Sequence, residues 1–201
     1  KMETVMRKIR VLIVEDSIIF QKLLSDGLSK DPALEVVATA ANPYEARDAI
    51  IEYSPDVMTL DIELPRMNGI DFLRKLMPQY PIPTVVISAL SDKVFDALSA
   101  GAVEFVSKPS GMDAEQIQHF IRKELSVKLK LASTINLSGL KKPHTDVKIL
   151  SGNIKKRDSV IAIGASTGGT EAIYEVVKRF RPDIAGTVIV QHMPPGFTKM
   201  Y

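Results

Sequence analysis

Apolar and polar residues alternate along the chain in a way that predicts strands and helices in regular succession. Between residues 9 and 131, short runs of β-branched and other apolar residues are separated by stretches with helical spacing. This alternation predicts an α/β domain in which helices wind around a parallel sheet. The five predicted strands are Val11–Val14, Val36–Thr39, Val57–Leu60, Thr84–Ile87 and Ala102–Val106.

Helix signals lie between these strands. Asn42 and Pro43 form a typical N-cap and first helical position, and Gly101 is placed to end a later helix. A fifth helix is predicted from Asp113 to Leu129, with apolar residues along one face. Five strands and five helices make residues 9–131 a complete, doubly wound α/β domain of ordinary size.

The regular pattern stops after this domain and then resumes. Residues 132–157 lack periodicity and are rich in lysine, which predicts a basic, solvated linker. Residues 158–201 carry one βαβ pattern, which is too small to bury a core and is predicted to begin a second, Rossmann-like α/β domain that is incomplete here. Residues 1–8 are predicted to be a tail, with a lysine before the first methionine. The elements of the βαβ pattern are Val160–Ile163, Thr170–Phe180 and Thr187–Gln191.

Composition narrows the class of protein. The chain is 45% hydrophobic and 25% charged, which is typical of soluble globular proteins. It contains no cysteine, which excludes disulfides and a cysteine nucleophile and indicates a reducing compartment, so we expect a cytoplasmic protein. A net charge of +2 is too small to indicate nucleic acid as a main partner. No apolar run approaches the roughly 18 residues that a membrane span needs, so no membrane insertion is expected.

Chemically active side chains follow four of the predicted strands. The carboxyl ends of parallel strands meet at one edge of a doubly wound sheet, near the point where strand order reverses. Three carboxylates at such an edge repel one another unless a divalent cation or a lysine neutralises them, and Mg²⁺ is the simplest candidate. The residues at these strand ends are Glu15 with Asp16, Asp61, Ser88 and Lys108.

Such an arrangement can attack a phosphoryl donor, because a hydroxyl and a lysine are placed to hold phosphate oxygens beside a carboxylate and a metal ion. Asp61 is the predicted nucleophile, since it follows the central strand. Taken singly, an acidic pair after a strand is more often a helix cap or a solvated loop, and a Lys-Pro pair is more often a turn. The prediction therefore depends on the combination.

These residues resemble the receiver domain of bacterial two-component response regulators. The resemblance covers residues 9–131 and implies a flavodoxin-like, five-stranded domain in which a histidine kinase phosphorylates Asp61. Glu15 departs from the family, where aspartate is more frequent. The motifs that carry the resemblance are Val11–Asp16, Asp61–Gly69, Ser88–Ala89, Gly101–Ala102 and Lys108–Pro109.

The same resemblance assigns roles to the individual residues. It implies that Asp16, Asp61 and the carbonyl of Glu63 hold Mg²⁺, with Glu15 acting through water. It also implies that Ser88 and Lys108 contact the phosphate. Phe105 is implied as an aromatic switch whose ring turns inward as Ser88 moves, although a phenylalanine on a parallel strand is usually just part of the core.

A glycine-rich turn marks the second candidate site. Gly164–Gly168 has the pattern G-x-S-x-G between a predicted strand and a predicted helix, which exposes Ser166 as a nucleophile and offers the Thr167 N–H to an oxyanion. His192 ends the neighbouring strand, where it could take the proton of Ser166. The turn alone fits a phosphate-binding turn at a helix N-terminus equally well, although neither common nucleotide-binding glycine motif is present.

Residues Val160–Phe197 resemble the catalytic domain of chemotaxis protein-glutamate methylesterases, through Ile163–Thr170 and Val190–Phe197. The resemblance implies hydrolysis of glutamate methyl esters on chemoreceptors, with glutamine deamidation as a second activity. The implied mechanism uses a Ser-His-Asp triad without a cofactor in the esterase site. Because Asp158 and Asp183 precede their strands, neither fits the triad. We therefore expect the triad aspartate to be missing from this chain and the chain itself to have little esterase activity.

Together, the two resemblances imply an esterase whose receiver domain packs over the catalytic domain and releases it on phosphorylation. The implied partners are a histidine kinase, methylated chemoreceptors and the chain's own catalytic domain. Two alternatives stay open. One is a receiver that controls a non-catalytic output, such as a binding module for nucleic acid or protein, although no helix-turn-helix pattern follows Arg157. The other is a fragment that acts only as a phospho-receiver.

Overall fold

A computed structural model describes residues 7–111, 113–137, 160–166 and 169–192, without the side chains of residues 91, 170 and 171. The chain forms two compact units that divide between Ile135 and Asn136. Most of the predicted linker and the predicted oxyanion donor Thr167 lie outside the described residues. Among the helices that the structure describes, none is long and apolar enough to cross a membrane.

The first unit contains a five-stranded, fully parallel sheet with the strand order β2-β1-β3-β4-β5. This order confirms the predicted flavodoxin-like α/β fold, and it places the reversal of strand order between β1 and β3. Every residue of β3 and β4 is buried, so the centre of the sheet is also the centre of the core. The strands are β1 Ile9–Val14, β2 Leu34–Ala40, β3 Val57–Leu60, β4 Thr84–Ser88 and β5 Glu104–Ser107.

Two groups of helices surround this sheet. The first helix packs against the fifth, while the second, third and fourth helices pack against one another in succession. Asn42 caps the second helix, as predicted, because its side chain accepts hydrogen bonds from the backbone N–H groups of Tyr44 and Glu45. The helices are α1 Ile18–Leu28, α2 Pro43–Tyr53, α3 Gly69–Leu76, α4 Val94–Ser99, α5 Ala114–Phe120 and α6 Ser126–Ser133.

The predicted start of β5 is wrong by two residues. The end of α4 uses Gly101, with φ of +108°, and Ala102 for its C-terminal cap. The Gly101 N–H donates to Leu98 at 3.0 Å and the Ala102 N–H donates to Ala97 at 3.0 Å, which is the pattern of a Schellman motif. Ala102 therefore belongs to the helix cap, and strand geometry begins only at Glu104.

The predicted fifth helix is interrupted. A π-helical turn, Ile121–Leu125, separates α5 from α6, and the helical path runs on to Ser133 rather than ending at Leu129. Ile121, Leu125 and Leu129 are nevertheless fully buried, as their apolar spacing predicts. The periodicity identified the buried face but carried no sign of the extra residue in the turn.

The second unit is one parallel βαβ element in the described residues, which confirms the predicted start of a second α/β unit. It consists of β6 Ile161–Ala165, α7 Gly169–Val177 and β7 Thr187–Gln191. The strand β6 extends further than predicted because Gly164 and Ala165 pair with Val190 and Gln191. The helix is shorter than predicted and ends before Phe180.

Candidate functional site

The first candidate site is an acidic pocket formed by Glu15, Asp16, Asp61 and Lys108 at the carboxyl edge of the sheet. Glu15 and Asp16 follow β1, and Asp61 follows β3. One carboxylate oxygen from each of these three residues lies within 4.8 Å of the others. Glu15 and Asp61 are only 1% and 3% exposed, whereas Asp16 is exposed to solvent. The structure thus brings the three predicted carboxylates together.

Backbone hydrogen bonds position the two buried carboxylates. The parallel ladder continues one residue beyond the strands, with the Asp61 N–H donating to the Val14 carbonyl at 3.0 Å and the Glu15 N–H donating to Ala40 at 2.9 Å. Behind Asp61, the first residue of α3 is Gly69, where a Cβ atom would lie 2.1 Å from the Asp61 carbonyl oxygen. Only glycine allows the helix to approach the end of β3 so closely.

Lys108 lies between the buried carboxylates. Its Nζ atom donates to both oxygens of Glu15, at 2.8 and 2.9 Å, and to Oδ2 of Asp61 at 2.7 Å. The same ammonium group lies 4.7 Å from the centre of the Phe20 ring, where the aromatic face provides a further favourable contact. A lysine was one of the two groups expected to neutralise these carboxylates, and Lys108 does so here. Its contact with phosphate stays a prediction.

The ionisation of the pocket reflects both burial and these contacts. Burial raises the pKa of Glu15 above its usual value of 4.5, against the opposing effect of Lys108. Burial alone lowers the pKa of Lys108, but hydrogen bonds to Asp61 and Glu15 outweigh it and raise the pKa above 10.5. Lys108 therefore stays charged at neutral pH, and the carboxylates depend on it for compensation.

The donor set of the pocket fits a hard divalent cation, since three carboxylates supply closely spaced oxygen ligands. Asp16 is exposed and accessible, whereas Glu15 and Asp61 are both bonded to Lys108. Glu63 lies beside the pocket, where its backbone N–H donates to Oδ1 of Asp61 at 3.2 Å. The role of the Glu63 carbonyl as a fourth ligand stays a prediction.

Ser88 and Phe105 belong to β4 and β5, the two strands that follow β3 in the sheet. Ser88 is the last residue of β4, and its hydroxyl accepts a hydrogen bond from the Leu90 N–H at 3.1 Å. The Lys108 N–H donates to the Ser88 carbonyl at 2.9 Å, so the two predicted phosphate contacts are joined through the backbone. Phe105 is opposite Val86 on β4 and is 2% exposed, so its side chain is already buried.

The second candidate site is the serine turn, formed by Ser166 after β6 and His192 after β7. Ala165 and Gln191 are partners in the parallel ladder, so the next residue on each strand lies at the same edge. The His192 N–H donates to the Ala165 carbonyl at 2.9 Å and fixes this arrangement. The hydroxyl Oγ of Ser166 lies 3.2 Å from Nδ1 of His192. The structure thus brings the predicted serine and histidine together.

This pair is arranged for proton transfer, because a serine hydroxyl becomes a useful nucleophile when a neighbouring imidazole can accept its proton. Nδ1 faces the hydroxyl, and Nε2 makes no hydrogen bond within the described ranges. The group bonded to the second ring nitrogen normally decides which nitrogen carries the proton. Asp183 is not that group: it pairs with Arg181 through two hydrogen bonds of 3.0 and 3.1 Å.

Sequence reasoning missed two side chains near these sites. Phe20 of α1 lies against Lys108, a contact that the sequence pattern did not indicate. Gln191 was treated only as the end of a strand, yet its side-chain amide hydrogen-bonds to the backbone of both Ser166 and His192. The only sequence signal for Gln191 was its position directly before His192.

Comparison with known protein families agrees with this division into two sites. Residues 11–122 match the family model described as the response regulator receiver domain. Residues 161–201 match the model described as CheB methylesterase. The first match includes the whole acidic pocket, and the second includes both residues of the serine turn.

Curated relatives carry both parts in one protein. The chain is 56% identical over 198 residues to the protein-glutamate methylesterase/protein-glutamine glutaminase 2 of Syntrophomonas wolfei, which covers 98% of this chain and 57% of the relative. It is 51% identical to the corresponding protein of Syntrophotalea carbinolica, over 97% of this chain and 58% of that protein. The chain therefore spans a little over half the length of these relatives.

Among solved structures, the first unit is similar to the response regulator domain of Thermotoga maritima CheB. The TM-score is 0.59 and the sequence identity is 35%, over 65% of this chain and 99% of that domain. The similarity supports the same fold for the first unit.

Proposed function

The chain belongs to the response regulator receiver family and continues into a segment similar to the CheB methylesterases, and from this premise we propose that it is part of a phosphorylation-controlled protein-glutamate methylesterase and protein-glutamine glutaminase of bacterial chemotaxis. The substrates are glutamate γ-methyl esters on the cytoplasmic helices of chemoreceptors, and the phosphoryl donor is a histidine kinase. The absence of cysteine agrees with a place in the cytoplasm.

The observation that carries the esterase proposal is the 3.2 Å contact between Ser166 and His192 at the edge of a parallel strand pair. Ser166 Oγ attacks the ester carbonyl carbon while His192 takes the hydroxyl proton. His192 then gives that proton to the departing methoxide, so methanol leaves and an acyl-serine forms. Water repeats the sequence and releases the glutamate carboxylate and the serine. The Thr167 N–H is proposed to stabilise the oxyanion.

In the receiver domain, we assign the phosphoryl acceptor to Asp61. A carboxylate oxygen of Asp61 forms the new bond to phosphorus as the bond to the donor nitrogen breaks. Asp16, Asp61 and the Glu63 carbonyl, with Glu15 acting through water, are the residues proposed to hold Mg²⁺, which when bound would neutralise charge on the phosphoryl oxygens. The Lys108 ammonium group moves one hydrogen bond from a carboxylate oxygen to a phosphoryl oxygen. The Ser88 hydroxyl donates a hydrogen bond to a second phosphoryl oxygen.

Control follows if the phosphorylated receiver no longer restrains the catalytic domain. A phosphoryl group shifts such an equilibrium only by binding one arrangement better than the other. In the unphosphorylated protein, Oδ2 of Asp61 accepts a hydrogen bond from Nζ of Lys108 at 2.7 Å. Phosphorylation adds negative charge and three oxygen acceptors where this contact now exists, so we propose that it redirects Lys108 and Ser88 toward Asp61 and moves the ends of β4 and β5.

The two assignments can be tested separately on the full-length protein. Phosphoryl incorporation from a small phosphodonor with Mg²⁺ should be lost in Asp61→Asn and retained in Asp71→Asn, which changes an exposed aspartate on α3. Equal labelling of the wild type and Asp61→Asn would contradict the first assignment.

For the serine turn, the rate of methanol release from methylated receptor should fall at least roughly 10³-fold in Ser166→Ala. It should be unchanged in Glu175→Gln, because Glu175 lies on α7 and pairs with Lys178 and Arg179. A Ser166→Ala protein that releases methanol at the wild-type rate would end the esterase proposal.

A further inference from the structure

We propose that Gln191 is a positioning residue that holds Ser166 and His192 in register for catalysis, an inference that rests on the proposed esterase function. The Nε2 atom of Gln191 donates to the backbone carbonyl of Ser166 at 3.0 Å and to the carbonyl of His192 at 2.8 Å. A side-chain amide has two N–H donors, and both are used here. One planar group is therefore bonded to the main chain of both residues of the serine turn; we call these two hydrogen bonds the Gln191 bridge.

The bridge supplies a constraint that the strand ladder does not. The His192 N–H donates to Ala165, which ties together the two strand ends before the turn begins. Ser166 lies beyond that bond, and within the described residues its carbonyl otherwise accepts only the Gly169 N–H, at 2.7 Å, within its own turn. Among the described contacts, the bridge is what ties the backbone of Ser166 to the strand that carries His192.

The amide of Gln191 is closely packed against the start of α7. Its Oε1 atom is buried and has no hydrogen-bond partner in the described part of the chain. A Cβ atom on Gly169 would lie 2.3 Å from Oε1 and 2.6 Å from Cβ of Ala165. Gly169 thus leaves the space that the amide occupies, and any larger residue there must displace Gln191 or the turn.

The bridge matters because proton transfer from serine to histidine depends steeply on distance. The Ser166 Oγ to His192 Nδ1 distance of 3.2 Å is already near the long end of a hydrogen bond. A displacement of about 1 Å can cost roughly a hundredfold in rate. Gln191 contacts neither the ester nor the transferring proton, so its loss should lower kcat while KM stays nearly constant.

The test compares variants of the full-length enzyme by methanol release and by reaction with a fluorophosphonate probe that labels the active serine. Gln191→Leu removes both donors, and Gln191→Glu keeps the shape but presents a carboxylate to two carbonyl oxygens. We expect each to lower kcat roughly 10- to 100-fold and to slow labelling in parallel, with KM within about twofold of the wild type. Glu175→Gln serves as the control and should match the wild type.

A purely structural role gives a different result. Loss of folded protein lowers the number of serines that the probe finally labels, whereas mispositioning lowers the rate constant for each labelled serine. Gly169→Ala should reproduce the Gln191→Leu defect, and the double variant should be no slower than the slower single variant, because both changes break the same bridge. If Gln191→Leu does not fold, Gln191→Glu and Gly169→Ala carry the test.

The proposal is overturned if the rate constant per labelled serine in the Gln191 variants stays within about twofold of the wild type. A wild-type rate in Ser166→Ala would instead overturn the proposed function, so the two failures are distinguishable.

Discussion

Lys108 is the residue on which the charge balance of the acidic pocket depends. Two buried carboxylates, Glu15 and Asp61, accept hydrogen bonds from its single ammonium group. Buried charges are tolerated only when they are paired, and removing one partner leaves an uncompensated charge. In this structure Lys108 therefore supplies the positive charge that compensates both carboxylates, a charge that Mg²⁺ would also supply when bound.

Removing the charge of Lys108 should tighten binding of Mg²⁺ to the unphosphorylated protein. In Lys108→Met, Mg²⁺ no longer competes with an ammonium group for Glu15 and Asp61. Calorimetric titration should therefore show a roughly tenfold higher affinity for Mg²⁺, equivalent to about 1.4 kcal/mol. Lys75→Met, on the exposed side of α3, is the control. Weaker Mg²⁺ binding in Lys108→Met would contradict the competition.

The raised pKa of Glu15 makes a prediction for stability against pH. At pH values above 4.5, the folded protein holds a proton on Glu15 more often than the unfolded chain does, because the pKa is raised in the folded state. Ionisation of Glu15 therefore lowers the stability of the folded protein as pH rises. The free energy of unfolding, measured by urea titration with a chelator present, should therefore increase in Glu15→Gln relative to the wild type as pH rises through that range. If the free energy of unfolding of Glu15→Gln minus that of the wild type became smaller as pH rises, the pKa of Glu15 would be lowered by folding, which contradicts the prediction.

At the scale of elements, the pocket depends on how closely α3 approaches the end of β3. In Gly69→Ala the new Cβ atom would lie 2.1 Å from the Asp61 carbonyl oxygen. This clash can be relieved only if the backbone of α3 or of Asp61 moves. We expect a loss of about 2 to 4 kcal/mol in the free energy of unfolding.

Gly111→Ala is the matched comparison for this substitution. Gly111 has φ of +67° and open space around it, so alanine there should cost only about 1 kcal/mol of backbone strain. Equal destabilisation in the two variants, measured by thermal or urea unfolding, would mean that the contact between α3 and β3 is not the cause.

Elements were predictable where one local rule determined them. The strands were visible as apolar runs, and Asn42 followed by Pro43 marked the start of α2. The start of β5 was not visible, because Ala102 looks like a strand residue and only the cap of α4 recruits it. The π-helical turn was hidden for a similar reason: an added residue changes which backbone groups pair while Ile121 and Leu125 stay on the buried face.

For the whole molecule, two sites at the carboxyl ends of parallel strands follow from one rule of α/β architecture. That rule, together with residue type, was enough to predict that Asp61 meets Glu15 and that Ser166 meets His192. The rule allowed a lysine as the neutralising group, but it could not predict that the single ammonium group of Lys108 contacts both carboxylates, nor the bridge from Gln191. Each of these depends on the reach of a flexible side chain in three dimensions.

The central claim is that phosphorylation of Asp61 controls hydrolysis at Ser166. The direct test is the rate of methanol release by the full-length protein with and without a small phosphodonor and Mg²⁺, for the wild type and for Asp61→Asn. We predict that the donor raises the wild-type rate at least roughly tenfold and leaves the Asp61→Asn rate at its basal value. A wild-type enzyme that ignores the donor, or an Asp61→Asn enzyme that responds to it equally, would contradict the account.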